Sequence, residues 1–455
     1  MRTVMSAEPS IFPGPDDSQQ MKLLIRIVRA PSTSPAARVG KVFDFRPEHR
    51  QPWTSPDAVV TRGDAIRDTL DKMAGIGDVL RSWQQTKAPL YVQVSDPLGE
   101  SLNWELLYHD QKFYALDPGW PIARLTDPAN ETGGPPRYLA TPVRLMVLIS
   151  ACRVDNQWNE WESIRKAVIS GRQRIDIQLH VVVGSLALGE RISKEIADNG
   201  LAAFCTVSGL GENSSKVVAQ ILDWSPNLLH IFCHGYADEY NQFLELAKAT
   251  DYIEELERGT VRLAAKELRA IASQLNNPWF VALNCCSSAA SSGGVQSLAC
   301  RIVESGFPCA VAMVEPVDAL DAFEFTDAFY PPLFRNLENT ERALAAAPRA
   351  TFEWTDAMWA ARAALAARHT ETSREWALPV MYVRGLEPFA FERAPCQEAS
   401  KISDYVTTSR VVAEWLRTAA GNADEATRRE VMETMLADVP RPLWPRLDGS
   451  YGPSP

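Results

Sequence analysis

Two short apolar runs in this chain each end in a side chain that can do covalent chemistry. Leu228-Leu229-His230-Ile231-Phe232-Cys233 leads into His234-Gly235, and Trp279-Phe280-Val281-Ala282-Leu283 leads into Asn284-Cys285-Cys286-Ser287-Ser288. An imidazole that takes a thiol's proton, and later returns one to a leaving group, makes the thiol a competent nucleophile. The chemistry these residues suggest is therefore a cysteine nucleophile, Cys285 or Cys286, served by a histidine base, His234.

The elements that must position this pair are the runs themselves. Each is short, continuously apolar and bounded by polar or glycine-bearing segments, the pattern of a parallel strand buried on both faces. In an open α/β sheet ligands bind beyond the carboxyl ends of the strands, where the imidazole and a thiol would stand side by side. Neighbours on a strand point to opposite faces, so only one of the two cysteines can meet His234. His230, four residues earlier, falls on the same side as His234 but about 13 Å back along the strand, so it is expected to be a structural hydrogen-bonding residue.

Together with blocks on either side, these residues resemble the CHAT family, caspase-like peptidases related to separase and more distantly to caspases and metacaspases. That family joins a strand ending in His-Gly to a strand ending in Cys. Upstream, Leu102-Asn103-Trp104-Glu105-Leu106-Leu107-Tyr108 and Pro121-Ile122-Ala123-Arg124 are similar to its blocks; downstream, Ala312-Met313-Val314-Glu315-Pro316-Val317-Asp318, Ala328-Phe329-Tyr330 and Pro379-Val380-Met381-Tyr382-Val383-Arg384 are similar to later ones. The ordered match covers roughly residues 90 to 390. It implies that Asn284 takes the family's Asn position and Cys286 the nucleophile's, 52 residues after His234. Cys285, with Cys152, Cys205, Cys233, Cys300 and Cys309, is then left as a buried small hydrophobe.

A cysteine endopeptidase acting on a protein substrate follows from that resemblance. Gly235 has no Cβ, so its backbone can approach a ligand closely, and its N–H together with that of Cys286 could hold an oxyanion. Separase-like members carry an acidic, tryptophan-containing segment for a basic P1 residue after the next strand. Here Glu315-Pro316-Val317-Asp318-Ala319-Leu320-Asp321 departs from it. Asp318, Asp321 and Glu324 are candidates for an S1 carboxylate, against a simpler role as charges at a helix N-terminus, where carboxylates suit the helix dipole. Bacterial members often serve in antiviral or programmed-death systems, which implies an activating or recruiting protein partner. Two other readings are a catalytically idle module of the same family acting as a scaffold, which would have lost a dyad residue, and an unrelated nucleotide-binding α/β enzyme. The latter lacks support, since there is no P-loop, no GxGxxG after a strand and no GxSxG elbow.

The whole chain bounds these readings. Its 455 residues can bury a large core across two or three domains or subdomains. Lys and Arg total 46 against 57 Asp and Glu, a net charge of −11 without any long basic run, which argues against direct nucleic-acid binding. Eight cysteines lack both a disulfide-framework spacing and a zinc spacing, so a reducing cytoplasm, no metal and no cofactor are expected. No apolar stretch approaches the roughly 20 residues needed to span a bilayer, and the start lacks an apolar leader.

The alternation of strand and helix predicts an α/β fold with a mainly parallel, caspase-like sheet flanked by helices. Residues 1–20, rich in Pro, Ser and Asp, are expected to be disordered, 21–140 to form an N-terminal α/β portion, and 141–395 the catalytic domain after a Gly/Pro-rich link at 129–142. Trp104 is expected to be a core aromatic. The polar segment from Tyr236 to Arg262 has the length of a functional loop, and its Asp251, Glu254, Glu255 and Glu257 form a solvated face or attract a basic substrate. In the tail, 396–455, Val411, Val412, Trp415, Leu416 and Ala419 form one helical apolar stripe, and Val431, Met432, Met435, Leu436 and Val439 a second. Two helices joined at Gly421-Asn422 would pack together or on the main body, as a buttress or a recruitment module.

Overall fold

The computed structural model describes residues 3–13, 19–29, 39–44, 46–50, 53–86, 88–94, 97–126, 137–237, 242–285, 297–385 and 388–393. In the tail it describes 408–409, 411–413, 415–416, 424–436, 439, 444–445 and 447. Its strands, in chain order, are β1 (Thr3–Pro13), β2 (Gln19–Arg29), β3 (Lys41–Val42), β4 (Leu90–Val94), β5 (Tyr108–His109), β6 (Lys112–Phe113), β7 (Ile122–Thr126), β8 (Arg137–Leu139), β9 (Val143–Ser150) and β10 (Ile177–Val183). There follow β11 (Cys205–Gly209), β12 (Leu228–Ala237), β13 (Gln242–Leu246), β14 (Val261–Ala264), β15 (Phe280–Cys285), β16 (Cys309–Met313), β17 (Arg349–Thr351), β18 (Pro379–Arg384) and β19 (Ala390–Arg393). The helices are α1 (Pro56–Asp71), α2 (Ile76–Thr86), α3 (Pro97–Glu100), α4 (Trp158–Gly171), α5 (Leu186–Asp198), α6 (Ser214–Trp224), α7 (Ala249–Ile253), α8 (Ala265–Gln274), α9 (Leu298–Glu304), α10 (Ala319–Ala346), α11 (Thr355–Arg368) and α12 (Glu425–Met435).

One largely parallel sheet organises the chain, in the order β11-β10-β9-β12-β15-β16-β18-β7-β4-β1-β2-β3. The histidine and cysteine strands are adjacent and parallel at its centre, as their apolar runs predict, with Leu228 opposite Phe280 and Cys233 opposite Cys285. Helices α4, α10 and α11 pack together, as do α6, α8 and α9, and the two groups flank the sheet. Short antiparallel sheets, β17-β19-β8 and β5-β6, sit outside this path. Among the described residues no helix is long and apolar enough to cross a membrane.

The sheet does not stop at the Gly/Pro-rich link. β18 returns antiparallel to β16 and parallel to β7, so strands from both sides of the link share one ladder. By contacts the chain divides into two compact units, Met1–Glu392 and Arg393–Pro455. In the second, Val412 and Leu416 are buried with Leu436 and Val439, and Trp415, Met432 and Trp444 pack against them. The two apolar stripes of the tail thus meet each other; Gly421 and Asn422 lie outside the described residues.

Two expectations need correcting. Residues 3–13 are not disordered: they form β1, paired parallel with β4 and antiparallel with β2. Val4, Met5, Ser6 and Ala7 are all fully buried because this strand is covered on both sides, and the two-sided pairing outweighs a Pro- and Ser-rich composition. Pro9, which has no N–H for a second ladder, comes after the pairing with β4 has ended at Ala7. The segment from Tyr236 to Arg262 is not a plain loop either. It holds β13, α7 and β14, which continue β12 as an antiparallel ribbon. Asp251 is buried there, accepting hydrogen bonds from the backbone N–H groups of Lys248 and Thr260, while Glu254, Glu255 and Glu257 are exposed.

Trp104 is a core aromatic, fully buried with its Nε1 donating to the Gly99 carbonyl at 2.9 Å. The turn it occupies lies so close to α1 that a Cβ on Gly63 would sit 2.0 Å from the Leu106 carbonyl oxygen. Alanine is the better helix former by about 1 kcal/mol, but overpacking against backbone costs about 1–3 kcal/mol or more. Gly63→Ala is therefore expected to destabilise the chain by about 2 kcal/mol, read as a lower denaturation midpoint with an unchanged slope. A gain in stability would show that α1 can back away at no cost.

Candidate active site

His234 stands where β12 leaves the parallel sheet. Cys233 is the last residue of β12 in register with β15 and with β9, opposite Cys285 and Ser150; His234 then pairs with Glu245 of β13. Its imidazole, half-buried, lies with Nε2 2.6 Å from the Cys152 carbonyl oxygen. A carbonyl can only accept, so Nε2 carries the proton and Nδ1 is left as the basic nitrogen. This is the orienting partner that sequence could not name, because it is a backbone atom.

Local geometry fixes that carbonyl. Cys152 lies two residues past the end of β9, and Gln157, the N-cap of α4, straps the connection by donating from Nε2 to the Ala151 carbonyl at 2.7 Å. Its Oε1 takes a bond from Tyr252 at 3.1 Å, and Ser150 donates to the Ala247 carbonyl at 2.7 Å. The end of the β9 strand is thus tied both to α4 and to the ribbon that follows His234.

The two expected structural cysteines of these strands turn to the same side. Cys233 and Cys285 have their sulfurs 3.5 Å apart, and Cys285, 1% exposed, donates to the Ile231 carbonyl at 3.3 Å. Cys285 is therefore a packed thiol inside the sheet. Cys152, Cys205, Cys300 and Cys309 are buried as well. Burial pushes the Cys205 thiol up to about 12, and burial followed by the charges of Glu100 and Glu304 raises Cys300, so neither offers a thiolate near neutral pH. Cys286 itself lies outside the described residues.

On the other side of the two strands a buried polar network supports their ends. His230 and Glu160 of α4, both fully buried, meet with Nε2 and Oε1 2.6 Å apart, and the other ring nitrogen lies 2.9 Å from the Tyr330 hydroxyl of α10. Asn284 donates from Nδ2 to Glu160 at 3.1 Å and to the Ala322 carbonyl at 3.1 Å, and Thr326 donates to Glu160 at 2.8 Å. Burial, and then the Glu160 charge, push the Tyr330 hydroxyl well above its ordinary value. His230 is thus the structural residue its position on the strand implied. The network binds β12 and β15 to α4 and α10 within two to four residues of the proposed catalytic positions; Glu160 gave no sign of this role in the sequence.

The three acidic candidates near α10 are already engaged. Asp318 caps α10, accepting from the Leu320 N–H at 2.8 Å. Asp321, its side chain 4% exposed, is 2.7 Å from His369 Nε2 and 3.2 Å from Arg368 Nε, and Glu324 lies 3.9 Å from Arg368. Gly235 stands opposite Leu244 in the ladder with β13.

A mixed, largely parallel α/β sheet with His234 at the carboxyl edge of one central strand and Cys285 at the end of the next defines the class. The chain belongs to the CHAT domain family, whose model matches residues 137–383, more than half of its length. No curated protein matches the sequence. Among solved structures it is similar to a chain of the Saccharomyces cerevisiae separase–securin complex at 12% identity, with a TM-score of 0.33 over 74% of this chain and 20% of that one. It is also similar to the Arg-specific cysteine proteinase gingipain R at 9% identity, with a TM-score of 0.37 over 72% of this chain and 67% of that one. The chain spans about a fifth of the separase-complex chain it matches.

Proposed function

We propose that the chain is a caspase-like cysteine endopeptidase in which His234 and Cys286 form the catalytic dyad. The observation that carries this reading is the His234 imidazole, held through Nε2 on the Cys152 carbonyl at the carboxyl edge of the sheet, one residue past the facing pair Cys233 and Cys285. Those two thiols share one side of the sheet, so strand alternation carried one residue further would put His234 and Cys286 together on the other.

Each step then has a residue. Nδ1 of His234 takes the Cys286 proton, and the thiolate attacks the substrate's peptide carbonyl. The oxyanion would be met by the N–H groups of Gly235 and Cys286. As the tetrahedral intermediate collapses, the imidazolium returns its proton to the departing amine, leaving a thioester. Water, deprotonated by the same imidazole, hydrolyses that thioester and regenerates the thiol. The Cys152 carbonyl stabilises the imidazolium in between, as the orienting member of other nucleophile–histidine pairs does. No cofactor enters this sequence.

Asp318, Asp321 and Glu324 remain candidates for a pocket that meets a basic P1 residue only if substrate displaces Arg368 and His369 from the last two and competes with the Leu320 N–H for Asp318. Family membership further suggests that the activity is switched on by a sensor or recruiting protein, in a bacterial defence or cell-death pathway. The test is to incubate the chain with a proteome-derived peptide library and sequence the new amino termini. New termini that appear with the unsubstituted chain and vanish with His234→Ala support the reading; the same termini from both proteins would contradict it.

A further inference from the structure

The ribbon that follows His234 presents one face to the same side as the imidazole. Residues directly opposite on antiparallel strands project to the same side, as do alternate residues along one strand. His234 faces Glu245, Tyr236 faces Phe243, and Glu245 in turn faces Arg262 of β14. His234, Tyr236, Phe243, Glu245 and Arg262 therefore share a face. Tyr236 and Phe243 are stacked, their rings 4.7 Å apart and 18° from parallel. Arg262 lies over Phe243 at 4.6 Å and Arg258 over Tyr236 at 5.8 Å.

Among the described residues of this ledge the charges do not balance. Glu245, with 4% of its side chain exposed, is shared between Arg258 at 3.2 Å and Arg262 at 3.6 Å, whose side chains are 56% and 64% exposed. One buried carboxylate thus holds two guanidinium groups in place and neutralises one of them. Each guanidinium has five N–H donors in a planar fork that suits a carboxylate, and stacking on an aromatic ring orients that fork before any ligand arrives. The nearby Glu255 is taken up by Arg153, which donates to its carbonyl at 2.8 Å and lies 3.7 Å from its carboxylate. In a chain of net charge −11, a preorganised cationic pair beside the catalytic histidine stands out.

We propose that Arg258 and Arg262, laid on Tyr236 and Phe243, form a substrate subsite that selects an aspartate or glutamate side chain near the scissile bond. Two strand spacings separate β12 from β14, about 10 Å, which extended peptide covers in about three residues. The subsite therefore addresses a side chain within a few positions of the bond that Cys286 attacks, and not the acidic-to-basic recognition that the segment's glutamates suggest. The proposal rests on the peptidase reading for what the ledge serves, and its test lets the two fail separately.

An octapeptide array in which each position in turn carries Glu, Gln or Lys on an Ala/Gly/Ser background is probed with the full chain bearing Cys286→Ala. At one position or more Glu should bind roughly tenfold more tightly than Gln, the scale of one charge-assisted hydrogen bond. Adding Arg262→Glu should remove that preference and shift it to Lys. Glu245→Gln, which keeps an acceptor oxygen for the arginines but removes the competing charge, should strengthen it, and this variant keeps the test decisive if the charge reversal does not fold. Glu no better than Gln at every position, or a Glu preference that survives Arg262→Glu, would overturn the subsite. The preferred peptide is then offered to the unsubstituted chain. Cleavage without a Glu preference would sink the ledge alone, and arginine-dependent binding without cleavage would sink the peptidase reading alone.

Discussion

Replacing Cys286 with alanine is expected to abolish peptide cleavage, a loss of about 10⁴-fold or more, while Cys285→Ala leaves the rate within about threefold. The two thiols are chain neighbours of identical type, so the difference must come from placement. Cys285 packs against Cys233 and donates to the Ile231 carbonyl at 1% exposure, where neither substrate nor imidazole reaches it. Truncating it removes one buried sulfur, which lowers stability slightly and leaves His234 on the Cys152 carbonyl. Cys286 would lose the only atom able to form the thioester. Steady-state cleavage of one peptide by both variants measures this, and the reverse ranking would assign the nucleophile to Cys285 and require β15 to shift its register.

Arg124→Met is expected to be the most damaging single change to the fold, costing about 3–5 kcal/mol, because it strands a buried carboxylate. Arg124, 1% exposed, grips Glu105 with Nε at 3.1 Å and Nη2 at 3.0 Å, donates to the Glu100 carbonyl at 2.8 Å, and lies 3.3 Å from the Tyr382 hydroxyl. Arg362, fully buried and donating to the Ile122 and Pro379 carbonyls, adds a second cation 3.9 Å from Glu105. Burial alone would push the Glu105 carboxyl up, but the charges of Arg124 and Arg362 outweigh it and hold it below the usual range. For a carboxyl lowered on folding, the stabilisation is fully present above its unfolded value, about 4.3, and is lost as pH falls through the folded one. Burial pushes Arg362 down to about 10, only partly offset by Glu105. Urea denaturation at pH 7 should show the Arg124→Met loss, and combining it with Glu105→Leu should cost less than the two single losses together. A strictly additive double variant would mean the pair is not coupled.

This cluster also explains why two blocks recognisable in the sequence, around Trp104-Glu105 and Ile122-Ala123-Arg124, belong together: one supplies the anion and the other the cation. Glu100 extends it toward the part of the chain that carries His234, accepting from the N–H and hydroxyl of Ser297, which caps α9, at 3.1 and 3.0 Å. Burial raises its carboxyl despite those bonds.

Such long-range pairings mark the boundary of what the sequence discloses. The central strands were legible because apolar runs broken by His-Gly and Asn-Cys-Cys depend only on local composition. β1 was not, since its burial comes from neighbours about 20 and 90 residues away that hide a short Val-Met-Ser-Ala core within a polar composition. The ribbon of β13 and β14 was missed because its strands are four or five residues long and Glu245 is buried by pairing with cations, against the rule that charge marks solvent. Asp321 read only as an S1 candidate or a helix N-terminal charge, because its partners, Arg368 and His369, come 47 and 48 residues later at the end of another helix. The Cys152 carbonyl has no side-chain signature at all.

The most direct test of the catalytic dyad is mass-spectrometric labelling of the full chain by a library of peptide acyloxymethyl ketones, run beside His234→Ala. The account predicts alkylation at Cys286 that depends on His234 and on the peptide, with Cys285 unmodified. Labelling of Cys285, or of Cys286 at equal rates with and without the imidazole, would contradict it.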